Sequence, residues 1–65
     1  MTKTDLVKAM RRHTRDADFI TREEVRACMG YGDPHKVDRY LHGLGKIGRK
    51  YYIPEVADRI MQEIK

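Results

Sequence analysis

The sequence is poor in the residues that build large cores or covalent frameworks. Its 65 residues include no tryptophan, one phenylalanine and a single cysteine, Cys28. One thiol forms no internal disulfide, which excludes a disulfide-stapled scaffold and favours a reducing compartment such as the cytoplasm. A chain this short buries only about 60% of the surface that its unfolded form exposes. We therefore predict one small domain, residues 1–65, whose stability depends on well-capped helices or on assembly.

Long apolar runs and metal-ligand spacings are also missing. No segment approaches the ~18–20 consecutive apolar residues of a membrane span, and the first residues lack the apolar run of a secretory signal. The histidines and the cysteine show none of the short spacings that zinc sites use. A chain of 65 residues also offers no evident pocket for paired carboxylates or a Ser–His–acid site. The sequence thus predicts no membrane partner, no metal, no cofactor and no enzyme activity.

Positive charge is concentrated in two blocks of a chain whose net charge is +4. Residues 1–16 carry five Lys or Arg against two Asp, and residues 31–50 carry the same numbers, so each block has a net charge of +3. If the fold brings the two blocks together, they form one face that attracts polyanions. A solvated surface with a modest positive excess explains the charge equally well.

A capping box predicts the start of the first helix. Thr2 stands in the N-cap position and Asp5 follows three residues later, ahead of apolar residues with helical spacing. We predict a helix over about residues 3–13. The basic run at residues 11–15 falls at its C-terminal end, where cations complement the helix dipole without any ligand.

A second capping box gives the clearest local signal in the chain. Thr21 is the predicted N-cap and Glu24 the residue at N3, while Ile20 and Val25 can form a hydrophobic staple across the helix start. The apolar residues that follow lie on one helical stripe, and a glycine ends it. These features predict a short helix over about residues 22–29.

A third helix follows after a tight turn. Asp33 is a good N-cap, and Pro34 suits the first helical position because its missing N–H is not needed there. The helix is predicted over about residues 34–42, with Gly43 at its end. Two short helices joined by about four residues that include glycine have the sequence pattern of a helix-turn-helix, here about residues 21–43.

The last third of the chain changes from helix to strand and back. The β-forming residues before Pro54 predict a small β-hairpin, about residues 45–53, since a residue before proline is pushed towards the β region. Pro54 then opens a last helix, predicted over about residues 54–64. The predicted order is helix, helix, turn, helix, β-hairpin, helix, which is a mainly α fold with a small β-hairpin.

The apolar stripes of these elements predict one shared core. The first helix should cover part of it, because so small a domain can hardly spare the apolar area of that helix. The predicted core residues are Leu6, Val7, Met10, Val25, Met29, Val37, Leu41, Ile53, Val56 and Ile60.

Three glycines imitate a dinucleotide-binding fingerprint. Gly43, Gly45 and Gly48 spell G-x-G-x-x-G, but that motif must follow a strand and open a helix, so that the pyrophosphate meets the helix N-terminus. Here the predicted order is reversed, because the glycines follow a helix and open a strand. We therefore interpret Gly43 as a helix end and the other two as turn residues.

Several short segments over about residues 20–61 resemble the winged-helix DNA-binding domains of phage and transposon excisionases, which are related to the N-terminal domains of MerR-type regulators. They are Thr21-x-Glu23-Glu24, the short helix that ends at Gly30, Val37-x-x-Tyr40, and Gly48-Arg49-Lys50-Tyr51-Tyr52-Ile53-Pro54. The resemblance implies a winged helix-turn-helix that binds double-stranded DNA, with its second helix in the major groove and its wing against the backbone or minor groove. It implies a role in recombination or transcription, with a recombinase or a second copy of the chain as further candidate partners.

Exposed cations on the third helix and the hairpin agree with DNA binding. Those residue types suit phosphate and base-edge contacts, and Arg39 could read a guanine with a bidentate pair. The predicted DNA-binding residues are His35, Lys36, Arg39, His42, Lys46, Arg49 and Lys50. The alternative function is a protein-interaction module that docks a partner or dimerises. RNA binding is less expected, because the sequence predicts no aromatic pair on an exposed platform.

Overall fold

The computed structural model describes residues 2–63 and shows a mainly helical protein with a small antiparallel sheet, as the sequence predicts. In chain order, the elements of this range are α1 (Lys3–His13), β1 (Phe19–Thr21), α2 (Arg22–Met29), a 3-10 helix (Pro34–Val37), α3 (Asp38–Leu41), β2 (Lys46–Ile47), β3 (Lys50–Tyr52) and α4 (Ile53–Glu63). The predicted last residue of the fourth helix, residue 64, lies outside the described residues.

Both predicted capping boxes are confirmed. At the start of α1, the Thr2 hydroxyl accepts the backbone N–H of Asp5 at 3.1 Å, and the Asp5 carboxylate accepts that of Thr2 at 3.3 Å. At the start of α2, Thr21 and Glu24 make the same reciprocal pair at 3.1 and 3.0 Å. These bonds satisfy amides that have no partner inside the helix, so each helix has a defined first residue.

The Thr21→Ala substitution should destabilise the protein by about 0.5–2 kcal/mol, because it removes the oxygen that accepts the Glu24 amide. Chemical denaturation followed by circular dichroism measures the loss. If the protein binds DNA, as the sequence resemblance implies, its DNA affinity should fall only as far as folding does. A variant that stays as stable as the parent but loses binding would instead place Thr21 in contact with DNA.

The predicted third helix is shorter and less regular than expected. Its first turn, Pro34–Val37, is a 3-10 helix, because the Lys36 N–H bonds to the Asp33 carbonyl three residues back, at 3.1 Å. The predicted N-cap is correct, since the Asp33 carboxylate accepts the His35 amide at 2.9 Å. Gly43 has a φ of +81° just beyond the helix, a left-handed conformation that glycine adopts without strain.

The sheet has three strands in the described range, where the sequence predicted a two-stranded hairpin. β1 pairs with β3, which pairs with β2, all antiparallel. The strand that the prediction missed, β1, is only three residues long and runs straight into α2. A segment so short shows no periodicity, and it pairs with residues far along the chain.

One core joins all the helices of the described range. α1 packs against both α2 and α4, and α3 packs against α4. The buried apolar residues are Leu6, Met10, Ile20, Val25, Val37, Tyr40, Leu41, Ile53, Val56, Ala57 and Ile60. Two predicted core residues, Val7 and Met29, are only half-buried at its edge. In their place Ile20 is fully buried, because β1 turns it inward opposite Tyr51.

Ion pairs and capping bonds should make the fold sensitive to acid. The Thr2 amide and hydroxyl lower the pKa of Asp5, and the Arg26, His35 and Arg22 partners lower the pKa values of Glu23, Asp33 and Asp38. A carboxylate with a lowered folded-state pKa stabilises the fold above its unfolded pKa, and that stability is lost as pH falls through the folded value.

We therefore expect the free energy of unfolding to be level at neutral pH and to fall below about pH 4, the ordinary range of carboxyl groups. Urea denaturation at a series of pH values measures this profile. The Asp38→Asn variant should be less stable at neutral pH and should lose less stability on acidification. If the free energy of unfolding of the parent protein instead rises towards acid pH, the lowered pKa values assigned to these carboxyl groups are wrong.

Candidate nucleic-acid interface

The structure exposes all the predicted DNA-binding residues. The first three lie on the 3-10 helix and α3, the fourth directly follows α3, and the hairpin of β2 and β3 carries the others. They are His35, Lys36, Arg39, His42, Lys46, Arg49 and Lys50. A shallow open groove of about 380 Å³ runs between α3 and the hairpin. His42 lines one wall of it and Lys46 lines the other, with Asp38 and Tyr51 also at its surface.

Two arginines fix the position of α3, and the sequence predicted neither contact. Arg22 holds Asp38 through two bonds, with Nε to Oδ1 at 2.7 Å and Nη2 to Oδ2 at 3.0 Å. Arg59 of α4 donates to the backbone carbonyl of His42 at 2.7 Å. These bonds secure both ends of α3, although the partners are 16 and 17 residues apart in the sequence.

Arg39, the predicted base-reading residue, is itself engaged. Its guanidinium donates to the Glu63 carboxylate of α4 at 2.9 Å and lies 5.5 Å from the centre of the Tyr40 ring. The Arg39 side chain nevertheless remains 61% exposed. Exposed ion pairs of this kind contribute little to stability and exchange readily. Arg39 therefore has a defined resting orientation and can leave it for a competing anion.

The two carboxylates close to these cations have hydrogen-bonding partners of their own, and the partner of Asp38 is the Arg22 cation. Arg22 lowers the pKa of Asp38, and the His35 amide and imidazole lower that of Asp33. Among residues 2–63, no carboxylate pairs with Lys36, Lys46, Arg49 or Lys50. The surface formed by α3 and the hairpin therefore has an uncompensated positive charge.

The basic end of α1 and the turn of the hairpin lie towards opposite ends of the sheet. The basic end of α1 leads through residues 14–18 to the end of the sheet where Phe19 pairs with Tyr52. The turn of the hairpin lies beyond the opposite end, where Thr21 pairs with Lys50. Arg11 and Arg12 of the first block lie in the last turn of α1, where cations complement the helix dipole.

The solvent-facing side of the sheet carries an aromatic pair that the sequence analysis did not expect. Phe19 and Tyr52 stand opposite each other on β1 and β3, with ring centres 5.4 Å apart. Tyr52 is 44% exposed, and Ile47 of β2 is 72% exposed. The expectation that no aromatic pair lies on an exposed platform is therefore wrong, because the unpredicted strand β1 brings Phe19 beside Tyr52.

Within the described residues, no group of three or more His, Cys, Asp or Glu is arranged to hold a metal, and no helix is long and apolar enough to cross a membrane. Cys28 is half-buried, and this burial raises the pKa of its thiol. The thiol is thus a poor nucleophile and packs at the edge of the core. No family model, no curated protein and no solved structure matches this chain.

Proposed function

We propose that this protein is a sequence-dependent binder of double-stranded DNA with a winged helix-turn-helix fold. In this proposal α2 and α3 form the helix-turn-helix, α3 enters the major groove, and the hairpin of β2 and β3 is a wing that lies on the DNA backbone. The protein acts without chemistry of its own, in the cytoplasm, as an excisionase-like recombination factor or a small transcriptional regulator.

The observation that carries this proposal is the uncompensated charge on two adjoining elements. Lys36 precedes α3, while Lys46, Arg49 and Lys50 occupy the wing, and all four are exposed without a carboxylate partner in the described range. Phosphates are bound by cations of this kind. The nearby carboxylate Asp38 repels DNA less than a free carboxylate would, because the Arg22 guanidinium pairs with it.

The arrangement also supports a division of roles. Arg39 lies on α3, the element that the proposal places in the major groove, and its fork of donors matches the acceptor edge of guanine. Arg49 and Lys50 lie at the hairpin turn, where reach and charge suit the phosphates on either side. Base reading is thus assigned to α3 and anchoring to the wing.

A salt titration tests the proposal against the alternative, a protein-docking module. Affinity for a selected duplex should fall steeply with salt. For four phosphate contacts, the logarithm of the binding constant plotted against the logarithm of the salt concentration should have a slope of about −3.6. Fluorescence polarisation with selected and scrambled duplexes measures both the slope and the specificity. A protein that binds neither duplex at low salt, or binds without salt dependence, would favour the docking module.

A matched pair of variants locates the binding surface. Lys36→Ala removes a free cation next to α3, whereas Lys8→Ala removes an exposed cation of α1, away from the proposed interface. Lys36→Ala should make the slope shallower by about one unit, and Lys8→Ala should change it far less. Equal effects would show that only the net charge of the protein matters.

A further inference from the structure

The solvent-facing side of the three-stranded sheet carries aromatic and apolar residues that the proposed duplex binding through α3 and the wing does not use. Residues opposite one another in an antiparallel pair lie on the same side of the sheet, and neighbours along a strand alternate sides. The register therefore places Ile20 and Tyr51 on the core side. The residues on the other side, which we call the outer sheet face, are Phe19, Thr21, Ile47, Lys50 and Tyr52.

The aromatic pair gives this face a stacking surface. The Phe19 and Tyr52 rings lie 5.4 Å apart with their planes tilted by 47°. Phe19 is half-buried and supports the more exposed Tyr52 ring, while Ile47 extends the apolar surface towards the hairpin turn. Aromatic rings of this kind stack on nucleic-acid bases whatever the sequence, because every base has a π face.

The charge of the outer sheet face complements a polyanion. Lys50 stands between Tyr52 and Ile47, and Arg49 lies in the adjacent turn, both exposed. The segment of residues 46–52 contains no acidic residue. A stacking surface bordered by cations matches an unpaired nucleotide strand, whose bases are free to stack and whose phosphates run alongside. A paired duplex, in contrast, does not offer the faces of its internal bases.

We propose that the outer sheet face binds single-stranded DNA, with one base stacked on Tyr52 and the adjoining phosphates held by Lys50 and Arg49. This site goes beyond the proposed duplex binding, although it shares Lys50 and Arg49 with the proposed wing contact. The choice of DNA over RNA does rest on the proposed function, because this face is continuous with the wing that would contact the duplex.

A second copy of the chain fits this face less well. Two outer sheet faces related by a two-fold axis would bring the same surface of each copy together. Each copy would bring its Lys50 and Arg49 cations to the shared interface, and residues 46–52 contain no carboxylate to offset them. The small apolar area of Phe19, Tyr52 and Ile47 would have to overcome that repulsion.

Fluorescence polarisation with a labelled oligothymidine of about twelve nucleotides, a length within the usual site size, tests the proposal. Tyr52→Ala should weaken binding about 5- to 150-fold, the loss expected for one stacked base. Tyr52→Phe should bind as the parent does. Tyr52→Leu separates stacking from simple apolar contact, since it keeps apolar volume but has no π face. A Tyr52→Leu variant that binds oligothymidine as tightly as the parent protein would overturn the stacking site.

Arg39→Ala keeps this test separate from that of duplex binding. It should weaken binding to the selected duplex and leave oligothymidine binding unchanged, and circular dichroism confirms that each variant is folded. Parent protein that binds the duplex but not oligothymidine overturns this inference alone. Parent protein that binds oligothymidine but not the duplex overturns the proposed function and leaves the stacking site in place. Tighter binding to oligouridine, or to anionic phospholipid vesicles, would assign the face to RNA or to a lipid surface. A concentration-dependent dimer in sedimentation that Tyr52→Ala abolishes would assign it to a second copy.

Discussion

A chain that lacks residues 1–14 should fail to fold at room temperature. This deletion removes α1, which packs against both α2 and α4 and buries Leu6 and Met10 in the core. Burial of two such side chains contributes roughly 3–6 kcal/mol, and their loss also exposes the apolar surface that they cover. A domain of this size has a total stability near the lower end of about 5–15 kcal/mol. The deletion therefore removes most or all of the free energy that stabilises the folded state.

Thermal melting followed by circular dichroism gives the result directly. Met10→Ala is a milder version, with an expected cost of about 2–5 kcal/mol, because Met10 is fully buried. Lys8→Ala is the matched control on the same helix. Because Lys8 is exposed, this variant should have a melting temperature close to that of the parent. A truncated chain that melts where the full chain does would show that α1 is not part of the core.

Arg39→Ala should weaken binding to a selected duplex about 5- to 150-fold and reduce affinity for scrambled DNA much less. The reason is the assigned role of the guanidinium as a reader of base edges in the major groove. Arg49→Ala should weaken binding to both duplexes alike. It should also make the salt dependence of the binding constant shallower by about one unit of slope. Polarisation titrations at several salt concentrations separate the two effects.

Glu63 provides a second test of the role of Arg39. In the free protein its carboxylate accepts a hydrogen bond from the Arg39 guanidinium at 2.9 Å. In the proposed complex DNA displaces that carboxylate from Arg39, so Glu63→Gln should raise duplex affinity. The gain should vanish when Arg39 is already alanine. Glu55→Gln is the control, since it removes the same charge from an exposed position of α4. Equal gains from both substitutions would mean that Glu63 acts only through the overall charge.

If Arg39→Ala, Arg49→Ala and Lys50→Ala all bind as the parent does, the surface of α3 and the hairpin is not the DNA face. All three residues are exposed and lie outside the core, so these variants should fold. The protein-docking function would then become the better proposal.

The start of each long helix shows why part of this fold could be predicted. Thr2 with Asp5 and Thr21 with Glu24 are three residues apart, so the bond that begins each helix is contained in the local sequence. The 3-10 turn at Pro34–Val37 shows the limit of local reasoning. The apolar spacing there is equally compatible with an α-helix, so the sequence predicted a helix without its true geometry.

The sequence by itself determined the class of the fold, the capped helix starts, the glycine helix ends and the exposure of the basic candidates, because each depends on neighbours a few residues away. Only the tertiary structure decided which distant groups meet. It paired Arg22 with Asp38 and Arg39 with Glu63, across 16 and 24 residues, and it laid Phe19 beside Tyr52. Such contacts form when the burial of a shared core brings elements together, and no local pattern encodes the partner.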